Sequence, residues 1–125
     1  MKSILVLSAV FCFVSAATGQ WLETTIYLPD EYGGQTRPQR LAYNPQNNTV
    51  YVGSLNGRCV IEIDGTTSQK VARIPACTDQ SAFCYNPDNN MLYCANWDNH
   101  NVTVIDCATN QAITTIAADL YPLAV

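Results

Sequence analysis

The sequence predicts an all-β fold built from four-stranded antiparallel units set one after another along the chain. Three observations carry that prediction. One stretch is written twice, as "YNPQNNTVYVGSLNGRCVIEIDGTTS" from Tyr43 and as "YNPDNNMLYCANWDNHNVTVIDCATN" from Tyr85. Each copy divides into short runs rich in Val, Ile and Tyr, with Asn, Pro, Asp and Thr between them as turn signals. No window carries an apolar stripe of helical period.

Tyr43–Ala76 aligns on Tyr85–Ala118 without a gap, at a constant offset of 42 residues. Tyr51 pairs with Tyr93, Val60 with Val102, Ile63 with Ile105, Asp64 with Asp106 and Ile74 with Ile116. A period of this size belongs to propeller blades and solenoids. Within it the first strands are expected at Leu41–Asn44 and Phe83–Asn86, and the second at Thr49–Ser54 and Met91–Asn96. The third are expected at Arg58–Asp64 and Asn101–Asp106, and the fourth at Lys70–Ile74 and Ala112–Ile116.

The turns have physical causes. Pro45 and Pro87 preset φ, and the Asn pairs that follow tolerate left-handed backbone. Asp64 and Asp106 are placed to accept from amides ahead of them, with Thr67 and Thr109 closing the loop. On the third strand Cys59, Ile61 and Ile63 share one face, while Val60 lies on the other with Glu62 as its polar exception. In the second copy Val102 and Val104 share a face and Ile105 takes the opposite one. A sheet apolar on both faces is one packed between other sheets, as in radially stacked propeller blades.

"NNTVYVGSLNGRCVIEID" and "NNMLYCANWDNHNVTVIDCATNQAITTI" resemble the YVTN family of β-propeller repeats. "LYCAN" at 92–96 and "VTVID" at 102–106 match most closely, and "YVGS" at 51–54 departs at its last two positions. The resemblance runs from Leu41 to Val125 and implies a β-propeller with an incomplete ring, since two blades do not close one. It also implies that a terminal strand completes a blade begun at the other terminus. "TTIYLP" at 24–29 resembles the fourth-strand stretch "VARIP", so an outer strand is expected ahead of the first blade. The expected organisation is a signal peptide over 1–19, a leading strand and linker over 20–40, blade one over 41–76, blade two over 77–118, and the start of a further blade over 119–125. The chain therefore reads as the amino-terminal fragment of a longer propeller, with an apolar face open on each side.

Lys2, the uncharged apolar run Ile4–Ala17 and small residues before Gln20 are the marks of a cleaved secretory leader. They imply a secreted, periplasmic or cell-surface protein. A formal charge of −4, with six Lys and Arg among 125 residues, argues against a nucleic-acid partner, and no stretch beyond the leader approaches the length of a membrane span.

Cys59, Cys77, Cys84, Cys94 and Cys107 follow the leader, an odd number in a disulfide-permitting compartment. Cys84 and Cys94 replace Ala42 and Val52 together, which points to a bonded pair. A hairpin centred on Asn89 would set them opposite one another, about 4.5 Å apart at Cα. A centre half a residue away would put Cys84 opposite Tyr93, with the thiols on different faces. No Cys-x-x-Cys pair occurs and His100 is the single histidine, so no metal ligand is assigned.

No catalytic or cofactor-binding residue is assigned either. His100 and Asp98 sit in the turn "WDNH" and read as turn residues, and Ser68 and Ser81 lie in no nucleophile elbow. Trp97 and Tyr121 are loop aromatics, read first as packing residues and second as ligand contacts. The function expected is a non-catalytic binding or structural scaffold, partnered by its remaining blades or another copy and by a protein or glycan ligand. The alternative is the amino-terminal part of a secreted or periplasmic propeller enzyme, oxidoreductase-like, with its active site in other blades.

Overall fold

The computed structural model describes residues 24–27, 37–76 and 79–124. The expected leader lies outside them, as does Cys77. Among the described residues eight strands follow in order: β1 (Pro38–Asn44), β2 (Thr49–Ser54), β3 (Cys59–Asp64), β4 (Lys70–Pro75), β5 (Gln80–Asn86), β6 (Met91–Asn96), β7 (Asn101–Asp106) and β8 (Gln111–Ala117). They form two antiparallel sheets, ordered β1-β2-β3-β4 and β5-β6-β7-β8. The fold is all-β, two four-stranded blades in an unclosed arrangement.

The repeat extends to details that the alignment does not show. Tyr51 pairs with Glu62 and Tyr93 with Val104, and Val50 pairs with Ile63 as Leu92 does with Ile105. The register shifts between Glu62 and Ile63 and again between Val104 and Ile105, the same position of the repeat. A second shift recurs between Pro38 and Arg40 and between Gln80 and Ala82. Pairing continues past that bulge, so β1 and β5 start earlier than Leu41 and Phe83. Pro38 is tolerated there because it opens an edge strand.

The turns follow the chemistry of their residues. Asn48 and Asn90 adopt φ of 52° and 54°, the left-handed backbone that asparagine accepts. Asn44 Oδ1 accepts from the amide of Gln46 at 2.9 Å, and Asn86 Oδ1 from that of Asp88 at 2.9 Å. Tyr43 donates its hydroxyl to Asn48 Oδ1 and Tyr85 to Asn90 Oδ1, both at 3.0 Å. At the β3–β4 corner Asp64 Oδ1 accepts from the amides of Thr66 and Thr67, at 2.8 and 2.7 Å. Those bonds hold the Asp64 carboxyl below the ordinary aspartate range. Asp106 accepts likewise from the amide of Ala108.

The sheets pack face to face. Tyr51, Val60 and Ile74 of the first blade meet Leu92, Cys94, Ile105 and Cys107 of the second, with Phe83 and Tyr85 at the margin. Burying a side chain of this size contributes about 1.5–3 kcal/mol. Phe83 lies so close over β2 that a Cβ on Gly53 would come within 2.2 Å of its Cζ. That contact explains a glycine at the third position of "YVGS", where the second copy carries Ala95.

The two open faces that the sequence predicts are reduced to one among the described residues. Val52, Cys59, Ile61 and Ile63, on the far face of blade one, are buried, with Ile26 packed on them. Residues 24–27 reach that face without forming a strand, and the rest of the expected leading strand lies outside the described residues. The far face of blade two is different. Ile74 is 0% exposed but its counterpart Ile116 is 51% exposed, because blade two covers the former and no described residue takes that place over the latter.

The Cys84–Cys94 pairing meets the geometry that opposes it. The turn places Asn86 opposite Met91, so Cys84 faces Tyr93 and Cys94 faces Phe83. The thiols point to opposite faces of the sheet, Cys84 exposed and Cys94 buried, and no bond joins them. Iodoacetamide should label Cys84 in the native protein and reach Cys94 only after unfolding, as read by peptide mass mapping. Labelling of neither before reduction would restore the bond. Gly53→Ala should destabilise the chain by roughly 1–3 kcal/mol through overpacking against Phe83. Denaturant unfolding measures this, and Gly53→Ala combined with Phe83→Leu should recover much of the loss.

Candidate functional site

Two groups of polar side chains stand out from the repeat. The first is buried between the blades. Glu62 is 4% exposed on the apolar face of β3, where the second copy has Val104. Tyr51 donates its hydroxyl to Glu62 Oε1 at 3.4 Å, and Asn110, from the turn before β8, donates Nδ2 to Oε2. Burial pushes the Glu62 carboxyl above its ordinary range, against the pull of these two bonds. Burial likewise raises the Tyr51 hydroxyl and the neighbouring Cys107 thiol, so both stay protonated. The cluster ties β2 and β3 to the last hairpin of blade two. Closed to solvent, it is a structural clasp.

Further polar bonds run beside it. Asn44 Nδ2 donates to Asn90 Oδ1 at 3.0 Å and Asn47 Nδ2 to the carbonyl of Cys107 at 3.0 Å. At the other end of the sheets, Gln80 Oε1 accepts from the amide of Ser54 at 2.9 Å.

The second group is open. The β2–β3 turn, the β6–β7 turn and the residues entering β1 and β5 all lie at one end of the blades, because the chain meanders up and down. Trp97 N–H donates to the carbonyl of Asp79 at 3.0 Å, as Leu55 N–H does to that of Arg37 at 3.4 Å one repeat earlier. The segment after β8 folds back to this end: Ala118 N–H donates to the carbonyl of His100, and Tyr121 N–H to His100 Nδ1 at 3.2 Å. The Tyr121 ring stacks on Trp97 with centroids 4.9 Å apart, and the Ser81 hydroxyl meets the carbonyl of Pro122.

These elements enclose a cleft of about 420 Å³. Leu55, Trp97 and Leu123 form its apolar walls, and Arg40, Asn56, Asp79, Ser81 and Asp98 its polar lining. The Asp79 carboxyl reaches that of Asp98. Partial burial, then the hydrogen bond and charge of Asp98, raise Asp79 above the ordinary aspartate range. Arg40 Nε is buried without a hydrogen-bond partner. An aromatic wall, a guanidinium and two carboxyls thus share one cleft. Among the described residues no group of three His, Cys, Asp or Glu side chains could hold a metal.

Of the residues singled out in the sequence, Ser81, Trp97 and Asp98 line this cleft, while Tyr121 supports Trp97 from behind. His100 occupies a left-handed turn position with φ of 50° and anchors the returning segment. Asp79, Arg40 and Asn56 were not legible as site residues. A signal existed: Asp79 and Asp98 replace Arg37 and Asn56 of the first copy together, the kind of joint departure that drew attention to Cys84 and Cys94.

No model of a known protein family matches the chain, and no curated protein matches it. Solved structures do. Hydrazine synthase of Kuenenia stuttgartiensis superposes with a TM-score of 0.67 at 21% identity, over 85% of this chain and 29% of its own. The β-propeller domain of Cps50 (Swd1) from Myceliophteria thermophila gives 0.61 at 11% identity, over 70% and 28%. Apo AztD of Citrobacter koseri gives 0.62 at 14% identity, over 70% and 25%. At such identities the likeness is one of fold, and the chain is a β-propeller module. Its matched part spans between about a quarter and three tenths of those chains.

Glu62 offers a test of the clasp. A carboxyl whose folded pKa is raised leaves stability intact below its unfolded pKa, near the ordinary 4.5, and erodes it as pH rises through the folded value. Glu62→Gln removes that loss; its Oε1 still accepts from Tyr51, and a turned Asn110 amide can accept through Oδ1, which is otherwise unpartnered. The variant should gain melting temperature over wild type as pH rises above 4.5 and lose that advantage on acidification. A difference that does not change with pH would remove Glu62 as the titrating group.

Proposed function

We propose that the chain is a non-catalytic binding module, an exported stretch of β-propeller blades of the YVTN type that engages a partner through the cleft at its loop end. The observation that carries this reading is the cleft itself. Its lining comes from turns and strand entries held by the rigid meander, the usual seat of binding on a propeller-like scaffold. Trp97 has one side occupied by Tyr121 and still lines the cleft, so its position is fixed before any ligand arrives. Fixed contact surfaces lose little on binding.

Export is supported by Lys2, the apolar run Ile4–Ala17 and the small residues before Gln20. The YVTN assignment is supported by "LYCAN" and "VTVID". The far face of blade two supports a second contact of another kind. Tyr93, Val102 and Ile116 stand where Tyr51, Val60 and Ile74 receive the next blade, so further blades or another copy would cover them. The enzyme alternative draws on the likeness to hydrazine synthase, which at 21% identity carries the fold and no chemistry.

The test is a peptide and glycan array probed with the full chain and its variants. Trp97→Ala should weaken the bound ligands by about fivefold or more, the usual cost of truncating a central aromatic contact. Asp88→Asn, in the β5–β6 turn at the opposite end, should leave them unchanged. Ligands indifferent to Trp97 would place binding elsewhere and defeat the proposal.

A further inference from the structure

The chemistry of the cleft narrows the partner further, on the premise that the cleft is a binding site. We propose that it receives the cationic head of a lysine or arginine presented by a protein partner. The cation sits between Asp79 and Asp98 and against the ring of Trp97.

Two carboxyls held within hydrogen-bonding reach repel one another when both are ionised. Here the backbone enforces the approach. Asp79 sits at φ of 57° in front of β5, with its carbonyl bonded to Trp97 N–H, and Asp98 follows directly in the β6–β7 turn. The pair then needs either a shared proton or a cation. Arg40 Nη1 turns instead to the carbonyl of Gln39, at 3.4 Å.

The remaining walls fit the same guest. An ammonium or guanidinium over an indole face gains from the ring's quadrupole, and Leu55 and Leu123 flank an aliphatic stem. A formal charge of −4 steers basic partners towards the chain. A neutral sugar also stacks on tryptophan, but it leaves the carboxyl pair needing its proton. Nothing in the blade repeat demands the two acids, since Arg37 and Asn56 hold the same places one repeat earlier.

Isothermal titration of the full chain with an amidated tetralysine peptide tests this, with tetraglutamate and cellotetraose as comparators. Tetralysine should bind and tetraglutamate should not. Asp79→Asn and Asp98→Asn should each weaken tetralysine by about tenfold, Trp97→Ala by about fivefold, and Asp88→Asn by less than about twofold. The cation displaces the proton that Asp79 holds above its ordinary 3.8, so affinity should rise with pH through that group's titration, with proton release in the binding heat. The other ionisable groups around it are Asp98 in the β6–β7 turn, Arg40 on β1, and His100 at the end of that turn, whose Nδ1 accepts from Tyr121. Should Asp79→Asn fail to fold, Asp98→Asn and the wild-type pH profile carry the test. Equal loss in Asp88→Asn would reduce binding to net charge and overturn the proposal. Trp97-dependent binding of cellotetraose instead of tetralysine would overturn the partner class and keep the cleft as a binding site. Binding of any ligand that ignores all three cleft variants would remove both readings.

Discussion

Each sheet of this chain is apolar on both faces, and each such face needs cover from another part of the protein. That constraint organises the rest. The third strands carry Val60 on one side and Cys59, Ile61 and Ile63 on the other, so a single blade exposed to water would lose the burial of one set. Stacking at a fixed repeat solves the problem for the two inner faces, Ile26 packs on the far face of blade one, and the far face of blade two stays open among the described residues. Tyr51 at 0% exposure beside a part-exposed Tyr93 is the same residue on either side of that boundary.

A dry interface between sheets tolerates polar atoms only when they are paired. The repeat residues Tyr-Asn-Pro-x-Asn-Asn meet that demand twice. Asn44 closes its own turn through Oδ1 and reaches the next blade through Nδ2, where Asn90 Oδ1 already accepts from Tyr85. Glu62 meets it in a way peculiar to this interface, with Asn110 and Tyr51 as donors. Apolar contacts press the sheets together without choosing a register. Directional bonds from Asn44, Asn47, Glu62 and Gln80 choose it.

The loop-end cleft is a consequence of the same stacking. Turns joining packed strands must leave the sheets at their ends, where no neighbouring strand supports them. The segment after β8 returns to close part of that space, with Tyr121 against Trp97 and Pro122 against Ser81. Side chains that are free of packing duty in the turns line what remains. This is why the repeat is least faithful there and chemistry is densest.

The residues alone determined the strands, their turns and their faces, because these depend on a period of two and on the local demands of Pro, Asn and Asp. The gapless offset between Tyr43 and Tyr85 also carried the stacking, since identical patterns need identical neighbours. Tertiary structure decided three matters that local pattern does not contain. The β5–β6 register, with Cys84 opposite Tyr93, was set by a four-residue turn half a residue from the centre that the cysteines would need. On the far face of blade one Ile26 packs from residues 24–27, which lie within the outer strand expected at 24–29 but form no strand. The meeting of Arg40, Asp79, Asp98 and Trp97 brought together residues from one blade's first strand, the following linker and the next blade's turn. Their separation along the chain conveys nothing of that proximity, because packing of one sheet on the next creates it.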